Sequence, residues 1–474
     1  MTARAQTAYV CRECGRREAR WVGHCPACGS WDSFAEELVS EPGGRSGRSR
    51  FVQGERTGVS AAGPLALRLG DVASSSLERF TTGIDELDLV LGGGVVPGSL
   101  VLVGGEPGIG KSTLLLQALD RIAACGREVV LVCGEESAAQ VKMRAERVCV
   151  APDEISVLAA TDLDEILPVL VARAPAAVVI DSIQTLSCDT SSALPGSVSQ
   201  VREVADRFLR FAKETGTAVF LVGHVTKDGG IAGPRVLEHV VDAVLQFEGD
   251  AARFTRFLRA SKNRFGSTDE LGVFEMDASG LRGVDDPSRA FLGHGGAAGT
   301  AVHIAIEGSR CYLVEVEALV SRSELATPRR VAVGFDRNRL TTLVAVLERH
   351  AKLPLSTADV FVSIAGGIRV DEPAADLSVA LAIASAERGV ALPPRAAIFG
   401  EISLTGQLRS CSQSARRVTE AARAGFDIAL VPAADARALS SGATGARSVR
   451  EAITILLSTS TPRSTEATSD DGGV

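Results

Sequence analysis

Gly105-Glu106-Pro107-Gly108-Ile109-Gly110-Lys111-Ser112 is preceded by the apolar run Leu100 to Val103 and followed by Thr113 and a second apolar run, Leu114 to Ala118. The order predicts strand, glycine loop, helix. In that setting the spacing G-x-x-x-x-G-K-[ST] forms a phosphate cradle, because backbone NH groups at a helix start converge on anionic oxygens. Lys111 then reaches the β- and γ-phosphates and the Ser112 hydroxyl ligates Mg²⁺. The expected ligand is a nucleoside triphosphate, taken as ATP, held by Gly105 to Thr113.

The full chain has 474 residues, too many for one ordinary core, so two or three domains are expected. Apolar residues make up 45% and aromatic residues 4%, which suits an α/β protein and argues against a stacking-rich single-strand platform. The formal net charge of −8 confines any polyanion contact to a local channel or patch. No apolar run approaches the ~18 to 20 residues of a membrane span, and an apolar signal region is not seen at the N-terminus, so a cytoplasmic location is expected.

Residues 1–38 carry Cys11-x₂-Cys14 and Cys25-x₂-Cys28, with Gly15 and Gly29 directly after the pairs. Two such knuckles place four thiolates around one tetrahedral ion, and structural Zn²⁺ is the expected occupant. A redox dithiol would not need the second pair, and disulfides do not suit a cytosolic chain. So small a segment has little core, so metal binding supplies its folding energy. Cys125, Cys133, Cys149, Cys188, Cys311 and Cys411 are scattered singly and read as small core residues. Residues 39–70 are rich in Gly, Ser, Arg and Pro and read as a flexible linker.

The third segment, residues 71–286, contains the glycine loop. Glu128 to Cys133 predicts a strand running into Gly134-Glu135-Glu136-Ser137. A carboxylate at the C-terminal end of such a strand lies where an open α/β sheet keeps its ligand chemistry. Glu135 is the candidate base for the attacking water, and one of Glu135 and Glu136 is expected only to favour the next helix through its dipole. Ala177-Val178-Val179-Ile180-Asp181 reads as a Walker B strand, with Asp181 holding Mg²⁺ through water. A further strand, Ala218 to Val222, leads to His224, a candidate γ-phosphate sensor or a structural histidine. Ser187 to Ser199 and Lys227 to Pro234 are loops on the nucleotide side, either surface filler or moving parts. Lys262 and Arg264 close the strand after Phe257 and suit phosphate neutralisation, in cis or across a subunit boundary.

The series of four cysteines, G-E-P-G-I-G-K-S-T, G-E-E-S, Asp181, G-H-V-T-K-D-G and Lys262-Asn263-Arg264-Phe265-Gly266 resembles the RadA (Sms) family of bacterial DNA repair proteins, over nearly the whole chain. The resemblance implies a RecA-like ATPase core, mostly parallel in sheet, related to DnaB-type helicases and assembled into hexameric rings on single-stranded and branched DNA. It implies branch migration in homologous recombination alongside a RecA-type recombinase, with Lys262 and Arg264 completing a neighbour's nucleotide site and the two loops facing DNA. A recombination mediator that binds DNA and assists the recombinase without translocating is the alternative.

Residues 287–458 shift to Ala/Val/Leu-rich α/β sequence. Gly366 to Asp376 and Gly400 to Gly406 are similar to the protease domain of Lon, whose Ser/Lys dyad attacks peptides. Here the serine position is Ala374 and the lysine position Arg417, so no peptidase activity is expected. Arg409, Arg416 and Arg417 are candidate phosphate binders or a solvated face. Residues 459–474 read as a disordered tail.

Overall fold

The computed structural model describes residues 6–11, 16–18, 20–31, 33–39, 78–188, 196–223, 235–249, 255–293, 296–439 and 442–457. Cys14, His224, the loop 227–234, most of the linker, the middle of the loop 187–199 and the tail fall outside them. The chain divides into two units, Met1–Gly283 and Val284–Val474.

At the start of the first unit, β1 (Gln6–Cys11) pairs antiparallel with β2 (Arg17–Glu18) and β3 (Phe34–Val39). Further on, a nine-stranded sheet forms from β4 (Leu100–Gly104), β5 (Val129–Cys133), β6 (Ser156–Ala159), β7 (Ala177–Asp181), β8 (Ala218–Val222), β9 (Ala243–Glu248), β10 (Thr255–Asn263), β11 (Leu271–Asp277) and β12 (Gly280–Gly283). Its order is β12-β11-β10-β9-β4-β8-β7-β5-β6, with the six strands from β9 to β6 parallel and the last three in sequence added as an antiparallel meander.

Every residue of β4, β5 and β8 is buried, as in strands covered on both faces. The two faces are read off alternate residues. Val101, Val103, Val129, Leu131, Val179 and Phe220 pack with Leu115 and Leu119 of the helix Lys111–Ala124. Leu100, Leu102, Val130, Val132, Val178 and Ile180 pack with the helices Leu163–Arg173 and Val198–Thr215. The outcome is the expected α/β sheet with β4 in its middle and the glycine loop at the C-terminal end of that strand.

The second unit is built on a mixed sheet of order β15-β16-β14-β13-β17-β20-β21. Its strands are β13 (Thr300–Glu307), β14 (Arg310–Arg322), β15 (Arg330–Val333), β16 (Ala358–Ile364), β17 (Ala396–Ile398), β20 (Ile428–Pro432) and β21 (Ala443–Ala446), and β18 (Glu401–Ile402) forms a separate ribbon with β19 (Leu408–Arg409). The helix Asp376–Arg388 is buried without a break from Asp376 to Ser385, a central position its Ala-rich sequence permits.

Candidate nucleotide site and its companions

The helix Lys111–Ala124 begins straight out of the glycine loop, with Gly110 as its N-cap at φ 119°. A Cβ on Gly110 would lie 2.9 Å from Leu281 Cδ1 and Met276 Cε, so the meander closes one side of the loop. Gly108, at φ 77°, has open space where a Cβ would go, and this is the side from which an anion can approach. Ile109 is 1% exposed and anchors the loop in the core. Ser112 and Thr113 stay half-buried at the helix start.

Lys111 is buried, and its Nζ donates to the carbonyls of Gly105 (2.8 Å) and Glu106 (3.0 Å). Burial pulls its ammonium below the ordinary lysine value, while Asp181 and Glu135 pull the other way. The electrostatic partners of the loop lysine are therefore the two carboxylates that the sequence singled out. Strand register brings them there: Cys133 is paired with Asp181, and Gly134 N donates to Asp181 O at 3.0 Å.

The tandem Glu135-Glu136 separates into two environments. Glu136 is ion-paired to Arg144 Nη2 at 3.0 Å, and the same nitrogen is 3.7 Å from Asp181. Glu135 Oε1 instead accepts a hydrogen bond from Ser182 Oγ at 2.7 Å. The following helix, Ala138–Val148, is capped by Ser137 and Gln140 in a reciprocal capping box, so neither glutamate serves as its cap. Ser182 and Arg144 are site residues that sequence reasoning missed. Arg144 had a visible signal, since it lies on the stripe Val141, Ala145, Val148 that the helix buries. Ser182 had none beyond following Asp181.

Lys262 and Arg264 lie at the other end of the sheet. Lys262 is paired with Val244, which is paired with Leu102, and Arg264 N donates to Asp242 O at the level of Leu100. Lys262 Nζ is held by the carbonyls of Val241 (2.8 Å) and Glu238, ahead of β9. Burial and Arg264 lower its affinity for the proton, and Asp242 and Glu238 oppose them. Arg264 lies 3.7 Å from the buried Asp242, which also holds Lys213 at 2.7 Å. From Leu100 to Gly105 is about 16 Å of strand. The pair is thus directed away from the phosphate loop of its own chain.

In the N-terminal module, Cys11, Cys25 and Cys28 offer sulfurs within 4.8 Å of one another, and Cys11 Sγ and Cys28 Sγ are 3.7 Å apart. That separation is far beyond a disulfide bond of about 2 Å. It matches the edge of a tetrahedron with Zn–S bonds of about 2.3 Å, so the thiols present fit zinc. Gly29 N donates to Cys25 O and Cys25 N to Ser30 O, which form the knuckle turn.

The serine and lysine positions of the Lon-like motif are closed. Ala374 is 4% exposed, in the turn Pro373–Ala375. Arg417, 1% exposed, makes a bidentate pair with Glu372, donates to Ile304 O and lies 5.4 Å from the Phe399 ring centroid. His303 Nε2 is 3.0 Å from the same carboxylate. Burial pushes the Glu372 carboxyl up, but the hydrogen bonds from His303 and Arg417 outweigh it and bring it down to about 2. The expectation that Arg417 binds phosphate is therefore corrected, because its guanidinium is buried and already paired. Arg409 and Arg416 are exposed, the former paired with Glu401 at 3.1 Å. Cys125 is also corrected: it is exposed at the end of its helix, not in the core.

Among the described residues no helix is long and apolar enough to cross a membrane. The profile of the family described as "AAA domain" matches residues 66–230, "Rubredoxin metal binding domain" residues 9–36 and "Subunit ChlI of Mg-chelatase" residues 325–435. A KaiC-like protein of known structure from Pyrococcus horikoshii is 22% identical over 44% of this chain and 99% of its own, with a TM-score of 0.37. DNA repair protein RadA of Halalkalibacterium halodurans is 48% identical, over 91% of this chain and 93% of its own. RadA of Pseudomonas aeruginosa is 46% identical (92% and 94%) and RadA of Escherichia coli 45% (92% and 94%). With a phosphate loop, a zinc ribbon and a Lon-like unit in one order, and with relatives this similar along almost the whole length, the chain belongs to the family of DNA repair protein RadA.

Proposed function

We propose that this chain is a DNA-dependent ATPase of homologous recombination and repair that drives branch migration as a ring, none of whose nucleotide sites is complete without a second subunit. The observation that carries this is the division of the cations. Lys111 shares its site with Asp181 and Glu135, whereas Lys262 and Arg264 sit at the opposite ends of the strands. In a head-to-tail ring that opposite end meets the next subunit's phosphate loop. Gly105 to Thr113 cradle ATP, Asp181 holds Mg²⁺ through water, Glu135 takes the proton of the attacking water, and Lys262 and Arg264 stabilise the charge that develops on the transferred phosphoryl group. Bound Mg²⁺ supplies further neutralisation of that charge. Cys14 completes the zinc set with Cys11, Cys25 and Cys28.

The working parts are the zinc module 1–38, the ATPase 71–286 and a Lon-like scaffold 287–458 without peptidase chemistry. A hexamer acting on single-stranded and branched DNA beside a RecA-type recombinase, in the cytoplasm, fits the family and the acidic net charge, since only a ring's lumen must be basic.

Mixing subunits tests the arrangement. Lys262→Ala should keep nucleotide binding and lose hydrolysis by on the order of 10³-fold. Combined with Glu135→Gln subunits, it should regain activity at interfaces that place an intact Glu135 opposite an intact Lys262. No rescue in mixtures that sizing shows to co-assemble rules out the shared site. Directional unwinding of a three-stranded junction, lost in Lys111→Ala, distinguishes a motor from a mediator that only binds.

A further inference from the structure

The geometry points to Ser182 as the positioning residue for the Glu135 carboxylate, an assignment that rests on Glu135 being the base. Ser182 is fully buried, and its hydroxyl donates to Glu135 Oε1 at 2.7 Å, the length of a charge-assisted bond. Its own carbonyl accepts from Thr185 Oγ1 at 2.8 Å and from Thr185 N at 3.3 Å, which fixes the turn Ile183–Thr185 that follows the Walker B strand. The Thr185 side chain in turn fills the space beside Gly134. A Cβ on Gly134 would lie 2.1 Å from Thr185 Oγ1. The turn bearing Glu135 and the turn bearing Ser182 therefore interlock, and the hydrogen bond runs between two backbones that cannot drift apart independently.

A glutamate on a loop carries three side-chain torsions, and a general base misplaced by about 1 Å can lose on the order of 10²-fold in rate. Fixing one carboxylate oxygen through Ser182 limits the orientations left to the other. Glu136 is held instead by Arg144, whose same nitrogen lies 3.7 Å from Asp181. The hydroxyl thus assigns the two neighbouring glutamates their different roles.

The test is a double-mutant cycle read by single-turnover hydrolysis in full-length protein, with affinity for a non-hydrolysable ATP analogue measured in parallel. Ser182→Ala should lower the rate constant about 10-fold and leave analogue affinity within about 2-fold. In the Glu135→Gln background the same change should cost less than about 2-fold, because the hydroxyl acts through the carboxylate. Ser182→Thr, which keeps a hydroxyl, should recover most of the loss. If Ser182→Ala does not fold, Thr185→Val takes its place in the cycle, with an expected loss of about 3-fold that again vanishes without Glu135. Equal losses in both backgrounds, or a loss confined to analogue affinity, overturn the assignment to Ser182. Full activity in Glu135→Gln alone overturns the base assignment instead, so the two failures are distinguishable.

Discussion

Lys111 and Arg417 are both buried cations near the start of a helix, in motifs that announce an active site, and their surroundings differ in one respect. Lys111 donates to two backbone carbonyls of a loop whose outer residues, Glu106 to Gly108, are exposed. Arg417 donates to both oxygens of the Glu372 carboxylate and to the carbonyls of Ile304 and Ser412. A lysine held by carbonyls can exchange them for phosphate oxygens at little cost, since a neutral hydrogen bond is replaced by a charged one. A guanidinium fixed by Glu372 cannot leave without exposing a buried charge. Burial of a cation does not mark a site; exchangeable partners do.

The comparison is broken most severely at Lys111. Lys111→Ala removes the cation that would face the β- and γ-phosphates, so ATP turnover should fall by at least about 10²-fold while the fold persists. The far-ultraviolet circular dichroism and a phosphate-release assay together decide it. Turnover close to wild type in folded protein would show that the lysine's partners are not exchanged after all.

At Arg417 the loss should appear in stability. Arg417→Ala leaves Glu372 with His303 and the Ile306 N–H but without its guanidinium, and removing one partner of a buried pair costs about 3–5 kcal/mol. Denaturant unfolding, or faster hydrogen exchange of β13 and β17, would register it. An unchanged exchange pattern would mean that the pair contributes no net stability.

A smaller, graded effect follows from pH. The Glu372 carboxyl titrates in the folded protein at about 2, against an ordinary value of 4.5. Its folded value is depressed, so its contribution is complete above about pH 4.5 and is lost as pH falls through 2. The difference corresponds to about 3 kcal/mol. Glu372→Gln should flatten the acid limb of the unfolding midpoint between those values, and an acid limb identical to wild type would contradict the assignment.

These contrasts also show what the sequence could and could not reveal. The strand-loop-helix at Leu100 to Ala118 and the acids after β5 and β7 were legible because their chemistry depends on local order: an apolar run, then the group that uses the strand's end. Ser182 was not, because its partner Glu135 is brought beside it by strand pairing between β5 and β7. Arg417 was misread for the same reason. Three arginines near one helix start look alike in sequence, and only the fold shows that Glu372 comes from a segment 45 residues away to bury one of them.

The last contrast should leave activity unchanged. Restoring the nucleophile by Ala374→Ser puts back a hydroxyl at a position 4% exposed, and the partner it needs is a base that can take its proton. Arginine stays protonated, and at 417 it is fixed to Glu372 and the Ile304 carbonyl with no neutral form available. A serine there would be a buried hydroxyl, with no activating base at 417. Ala374→Ser should therefore show no cleavage of fluorescent casein and no labelling by a fluorophosphonate, in the presence or absence of ATP. Labelling that depends on the new serine would show that a different group in the unit can serve as base and would reopen the protease reading of this domain.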